Sequence, residues 1–406
     1  MQKKLIALAV AGLASGAAVA QTNVTLYGIA DLGYVYSKGD NGLPGGTNPP
    51  ILAIGGSNQF SGIQSGLLSG SRIGFKGEEA LGNGLKAIFT LEYGITPDTN
   101  SGIGNASYGP NARQTFVGLA HNNWGSLTLG RQYSPGYQAT ANNDPAAGAV
   151  FEPQSYLSAQ GGNTITPNNA ARWNNAIAYT SPNWGGFSAK AIYGFGETAN
   201  ANGTFSSQTC DPAAAPAGAC AGTNPDVNGK WAVGFNFASG PFNADLVYQQ
   251  RGLVTGGSIL STPGFAVFGA NGQNINEWYV GASYDFKVVK IMGSYQAQND
   301  KNAVNLDNQL WSIGAVIPVL GNSNIHLAYA QLMWDGGHLL GRDWLVNNND
   351  SAMIAWTTNL SKRTTFYAGY VWNGNDNWAL NAGPVAGVGA VNQDNNTFLA
   401  GLRHTF

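Results

Sequence analysis

Arg72 and Lys76 stand four residues apart in 71-SRIGFKG-77, and in an extended segment both lie on the face opposite Ile73 and Phe75. Two fixed cations on one strand face are no covalent catalyst; they set up a positive potential that steers or aligns charged solutes. The same alternation sets Lys86, Glu92, Lys190, Lys230, Glu277, Asp285 and Arg403 among small or polar neighbours. Their signs are mixed, which suits a solvated lining better than a reaction centre. The four histidines, His121, His326, His338 and His404, are scattered without HExxH or paired spacing, and neither G-x-S-x-G nor a P-loop occurs. The expectation is a protein that is no enzyme, with no cofactor and no metal.

The elements that carry these charges are alternating strands. In 85-LKAIFTLEY-93, Leu85, Ala87, Phe89, Leu91 and Tyr93 oppose Lys86, Ile88, Thr90 and Glu92; 230-KWAVGFNFA-238 and 277-EWYVGASYDF-286 repeat the pattern. About sixteen such segments are predicted, starting near residues 24, 70, 85, 113, 126, 172, 187, 229, 242, 275, 289, 307, 324, 350, 363 and 394. Short turns such as 80-ALGNG-84, 121-HNNWG-125 and 181-SPNWGG-186 alternate with long connections near 39–69, 96–112, 134–171, 197–228, 251–274, 300–306, 334–349 and 375–393. A soluble sandwich has no reason to alternate its loops so regularly. A transmembrane antiparallel barrel does, with short periplasmic turns at one rim and long extracellular loops at the other.

Composition agrees. Charged residues make up 10% of the chain, against about 25% in ordinary globular domains, while Gly 57, Trp 11, Tyr 17 and Phe 17 are abundant. Trp124 and Trp184 fall in short turns, and Tyr36, Trp231, Trp278, Trp311, Trp356 and Trp372 in or beside strands, as two interfacial girdles require. A net charge of −2 argues against nucleic acid as a partner. Residues 1–20, with Lys3 and Lys4 before an apolar run ending Ala18-Val19-Ala20, are predicted to be a signal peptide, leaving 21–406 as one barrel domain. In an exported chain the nine-residue spacer of 210-CDPAAAPAGAC-220 favours a loop-stapling disulfide between Cys210 and Cys220 over free thiols.

Several stretches resemble the general porin family of Gram-negative outer membranes, in its betaproteobacterial and neisserial branch. They are 24-VTLYGIADLGYVY-36, 71-SRIGFKGEEALGNGLKAIFTLEYG-94, 113-RQTFVGLAHNNWGSLTLGRQYSPGY-137, 172-RWNNAIAY-179 and the terminal 397-TFLAGLRHTF-406. The resemblance spans essentially the mature chain. It implies a homotrimer of sixteen-stranded barrels in outer-membrane lipid and lipopolysaccharide, each passing small hydrophilic solutes by passive diffusion. It implies that the third long loop, 134–171, folds into the pore, and that Phe406 is part of the signal read by the barrel-assembly machinery. By motif match Arg72, Arg113 and Arg172 would form a basic wall, joined by Lys76 through parity, across from the loop acids Asp144 and Glu152. Three arginines against two carboxylates would give a weak anion preference. The loop departs from the acidic PEFGG-type pattern, reading 144-DPAAGAVFEPQSY-156.

Arg131, in 127-LTLGRQYSPGY-137, shares its parity with Leu127 and Leu129. Strict alternation sends it outside the barrel, where an arginine against mid-membrane lipid costs about 2–4 kcal/mol. A subunit interface would remove that conflict; a β-bulge near Gly130 would instead turn the side chain toward the loop. The competing functional readings are a solute-selective channel, an outer-membrane hydrolase and a secreted adhesive β-protein. The first would draw on loop aromatics such as Tyr133, Tyr137, Phe151 and Tyr156.

Overall fold

A computed structural model of the chain describes residues 23–39, 58–99, 102–103, 111–196, 228–258, 269–302, 305–335, 338–339, 342–343, 348–375 and 394–406. The predicted signal peptide, Cys210 and Cys220 lie outside the described residues.

Sixteen strands close into one antiparallel wall. In chain order, with the shorter strands included, they are β1 (Asn23–Gly39), β2 (Asn58–Ser65), β3 (Arg72–Gly82), β4 (Leu85–Thr96), β5 (Gly102–Ile103), β6 (Ala112–His121), β7 (Gly125–Tyr133), β8 (Arg172–Thr180), β9 (Phe187–Gly194), β10 (Lys230–Ser239), β11 (Phe242–Ser258), β12 (Gly269–Asp285), β13 (Lys290–Asp300), β14 (Asn308–Val319), β15 (Ser323–Trp334), β16 (His338–Leu339), β17 (Arg342–Asp343), β18 (Asn349–Asn359), β19 (Thr364–Asn375) and β20 (Asn395–Thr405). The wall omits β2, β5, β16 and β17. Every predicted strand is present within a few residues of its expected start, β12 beginning earlier than 275.

The wall closes where the chain begins and ends. One edge of β1 pairs with β20 from Ile29↔Thr405 to Gly39↔Asn395, and Phe406 and Gly28 exchange both backbone hydrogen bonds at 3.1 Å. On its other edge β1 changes partner, pairing with β3 up to Ile29↔Arg72 and with β2 from Leu32↔Ser65. The extra strand β2 lay hidden in the connection expected at 39–69.

Alternation sorts the side chains. Val117, Leu119, Leu127 and Leu129 keep about half their surface exposed on the outer face, at 57%, 48%, 47% and 53%. Such a band of bare apolar side chains around a closed wall is what lipid solvates. Trp124 and Trp184 are exposed in their turns, as girdle residues should be.

The apolar core lies inside the barrel, and the connection 134–171 builds it. Two eight-residue helices interrupt this stretch, α1 (Pro135–Asn142) and α2 (Pro153–Gln160), each with proline at its start. Phe151, Ala146 and Ala149 pack with Leu67, Leu68, Met353, Tyr367, Val371 and Leu399. Tyr156 and Leu157 pack with Leu306, Leu310, Leu332 and Trp334. Full burial of a side chain such as Phe151 or Leu157 contributes about 1.5–3 kcal/mol, so the loop is held across the interior by two dry contacts. The turn between β2 and β3 braces it, with the Val150 N–H donating to the Leu67 carbonyl at 3.2 Å.

Candidate pore constriction

Glu92 of β4 is the meeting point of the basic wall. It faces inward with 4% of its surface exposed, and Arg113 Nε donates to its Oε1 at 2.8 Å. Arg72 lies 3.9 Å from Oε2, and the hydroxyls of Tyr27 and Tyr133 donate at 3.1 and 3.4 Å. Parity had marked Glu92 as solvated lining. The correction has a simple cause: the register pairs Gly74 of β3 with Glu92 and sets Arg72 beside it, so the carboxylate is covered by cations.

Arg113 reaches this cluster through a bulge. It shares parity with the outward Val117 and Leu119, but the β4–β6 register jumps from Glu92↔Gln114 to Tyr93↔Ala112 and leaves Arg113 as the extra residue. Its guanidinium donates on to the Tyr133 hydroxyl at 3.1 Å. Lys76 is exposed, with Nζ 5.4 Å from the Tyr27 ring centroid. Arg172 sits at the start of β8, its guanidinium carbon 5.7 and 5.6 Å from the Tyr133 and Tyr137 rings. Arg72, Arg113 and Arg172 are thus brought to one region of the interior.

The loop acids are not brought there. Asp144 and Glu152 are 5% and 1% exposed, and none of the ion pairs among the described residues joins them to an arginine. Asp144 accepts backbone hydrogen bonds from Ala146 and Gly148 at 2.6 and 2.9 Å, and Glu152 caps α2 by accepting from the Ser155 N–H at 2.9 Å. Burial pushes Asp144 up to about 7; burial and the adjacent Asp144 charge push Glu152 well above its ordinary range. The expectation that these acids face the arginines is corrected, because backbone N–H groups freed at the loop's turn and helix start draw the carboxylates onto the loop itself.

Beside Arg131 the irregularity lies in the neighbouring strand β8. Gly130 has φ +129°, a conformation open to glycine, and the β7–β8 register skips from Gly130↔Ala176 to Gln132↔Trp173, opposing Arg131 with both Asn174 and Asn175. The guanidinium donates to the carbonyls of Ala112 and Arg172 at 2.8 and 3.1 Å, to Asn174 Oδ1, and to Asn169 Oδ1 of the loop at 2.8 Å. Four acceptors within the chain meet the guanidinium, so it is satisfied by its own subunit. Arg131 ties the end of the loop to the wall.

Further tethers come from side chains whose role as loop anchors the sequence reading did not show; Glu277 was expected only as solvated lining. Glu277, 1% exposed, accepts from the Thr164 backbone N–H and hydroxyl at 2.5 and 2.6 Å and from Gln249 at 2.6 Å, and pairs with Arg251 at 3.3 Å. Asp245 accepts from Asn143 at 2.8 Å and holds the end of α1. His326 points inward, with Nδ1 2.8 Å from the Pro145 carbonyl. Their common signal is inward parity opposite the third loop. Of the other lining candidates, Lys190 donates to the Tyr133 carbonyl at 2.6 Å, Lys230 lies 5.1 Å from the Trp173 ring and Arg403 donates to Ser69 at 3.1 Å. Lys86 pairs with Glu78 at 2.9 Å, and Asp285 caps its turn through the Lys287 N–H at 2.7 Å.

A closed wall with an apolar exterior, charges inside and a loop strapped across the lumen defines a transmembrane β-barrel of the channel-forming type. The comparisons say which one: the model of the Gram-negative porin family matches residues 7–377, and the chain belongs to that family. Outer membrane porin protein 32 of Delftia acidovorans is 31% identical over the full length of both chains. An outer membrane porin of Bordetella pertussis is 29% identical over 91% of this chain and 93% of its own. Among solved structures, the anion-selective porin from Comamonas acidovorans superposes with TM-score 0.70 at 27% identity, covering 95% of this chain and all of that one. The protein is an outer-membrane transport barrel and not an enzyme.

Proposed function

We propose that the chain is a passive diffusion porin, working as a homotrimer, that admits small hydrophilic solutes and ions with a weak preference for anions. The observation that carries the anion preference is how unequally the interior charges meet water. The acids Asp31, Glu92, Asp144, Glu152, Asp245 and Glu277 are buried and engaged in holding strands, turn and loop. Lys76 is exposed, and Arg72 keeps 19% of its side chain accessible against 5% for Glu92. Water-excluding walls focus the field of the accessible charges, so a mobile anion meets cations first. The anion-selective character of the Comamonas porin supports the same sign.

In this reading Arg72, Lys76, Arg113 and Arg172 form the basic side of the constriction, and Asp144 and Glu152 stabilise the loop that narrows it. Residues 1–20 act as the export signal, Cys210 and Cys220 staple an extracellular loop, and Phe406 addresses the barrel-assembly machinery. Membrane lipid and lipopolysaccharide solvate the apolar band. Planar-bilayer recording tests the proposal: conductance steps grouped in threes support it, and purified, folded protein that opens no channels would overturn it.

A further inference from the structure

The loop 134–171 carries four titratable side chains, Tyr137, Asp144, Glu152 and Tyr156. Asp144 and Glu152 are closed into the loop, and Tyr156 packs in the opposite apolar contact with Leu306 and Trp334. Tyr137 alone of the four lies beside the arginines. Its ring stacks on Tyr133 with centroids 3.8 Å apart and planes 5° from parallel. Tyr133 is in turn 3.1 Å from Arg113, and Arg172 lies over both rings. Tyr137 is half-buried, so water and ions reach it.

We propose that Tyr137 is the residue through which the loop sets ion preference: it faces Arg72, Arg113 and Arg172 with a neutral phenol where a carboxylate would cancel their charge. The inference rests on the anion-preferring reading above. It makes the constriction one-sided, with a cationic wall, its own Glu92 covered, and an uncharged loop face. A unit negative charge at this position lies within a Debye length of about 8–10 Å from the Arg172 guanidinium and offsets about half of the net charge of three arginines and Glu92.

The phenol is also a switch in principle. Burial raises its pKa, but the charges of Arg113 and Arg172, the adjacent Tyr133 hydroxyl and Arg72 outweigh burial and bring it below the ordinary tyrosine value. The charged and titratable groups around it are Arg72 on β3, Glu92 on β4, Arg113 on β6, Tyr133 on β7 and Arg172 on β8, with Tyr27 reached through Glu92. Lys190 on β9 and Asp245 on β11 border the helix that carries it. As pH rises toward about 10 the phenolate forms, and anion preference falls.

Reversal potentials of single channels under a KCl gradient test this, because they read only folded, inserted protein. Tyr137→Glu is expected to lower the chloride-over-potassium permeability ratio about threefold at neutral pH. In the unmodified protein the ratio should decline between about pH 7 and about pH 10, and in Tyr137→Phe most of that decline should vanish. A Tyr137→Glu channel with the parent's ratio, or equal alkaline declines in the parent and Tyr137→Phe, would overturn the proposal and leave the anion-preferring reading standing. A parent channel that favours potassium at neutral pH would overturn both.

Discussion

Arg113 and Glu92, on the neighbouring strands β6 and β4, form a buried ion pair at 2.8 Å that exists because a bulge turns Arg113 away from the lipid-facing side of its strand. One arginine of the basic wall is thereby neutralised, and Arg72, 3.9 Å from the other carboxylate oxygen, is partly so. The accessible excess of positive charge rests with Lys76, Arg172 and the exposed part of Arg72.

Neutral replacements within the wall should therefore behave differently. Arg72→Gln with Lys76→Gln should move reversal potentials toward cations while the barrel folds normally. Arg113→Ala leaves Glu92 a buried carboxylate without its main partner, which costs about 3–5 kcal/mol. Its thermal unfolding midpoint should drop clearly below that of the double variant. Equal midpoints would show that the Arg113–Glu92 pair does not support the wall.

The strands were legible because lipid outside and water inside impose a strict alternation, so Arg72 and Lys76 could be placed by counting. Arg113 could not, since one extra residue changes the direction of its side chain without leaving a mark in the pattern; beside Arg131, Gly130 pointed to a bulge, and the register shifts there with Asn174 and Asn175 opposite Arg131. Asp144 and Glu152 were mistaken for pore acids although 152-EPQS-155 carries a readable helix start, an acid before proline at N1. The two helices themselves escaped because they are buried on most sides and show no polar face to set a period.

The carboxyl pair of the loop gives stability a definite pH dependence. Both groups bind a proton more tightly folded than unfolded, so their contribution is complete below about pH 4. It is lost as pH rises through the folded range, about 7 for Asp144. Glu152→Gln, which keeps a neutral donor beside Asp144, should flatten that loss. Thermal unfolding followed by circular dichroism from acid to mild alkali checks this, and parallel curves for parent and variant would contradict it.

Glu277 should govern how firmly the loop crosses the lumen. Glu277→Ala strips the acceptor from two Thr164 groups and Gln249 and leaves Arg251 without its carboxylate. Open-channel current should become noisier and mean conductance should rise. A quiet channel of parental conductance would show that the two apolar contacts hold the loop unaided.

At the seam, the ring of Phe406 lies over Gly28, where an added Cβ would come within 2.3 Å of it. Gly28→Val is expected to displace the terminal ring and slow insertion into liposomes several-fold. Insertion at the parental rate would separate the terminal phenylalanine from barrel closure.

The acids around the constriction, Glu92, Asp144 and Glu152, are hidden, and the accessible charge beside them is positive. The reversal potential of the unmodified channel under a KCl gradient at neutral pH tests this most directly. The account requires a sign set by chloride, weakened by Arg72→Gln with Lys76→Gln; a sign set by potassium would contradict it.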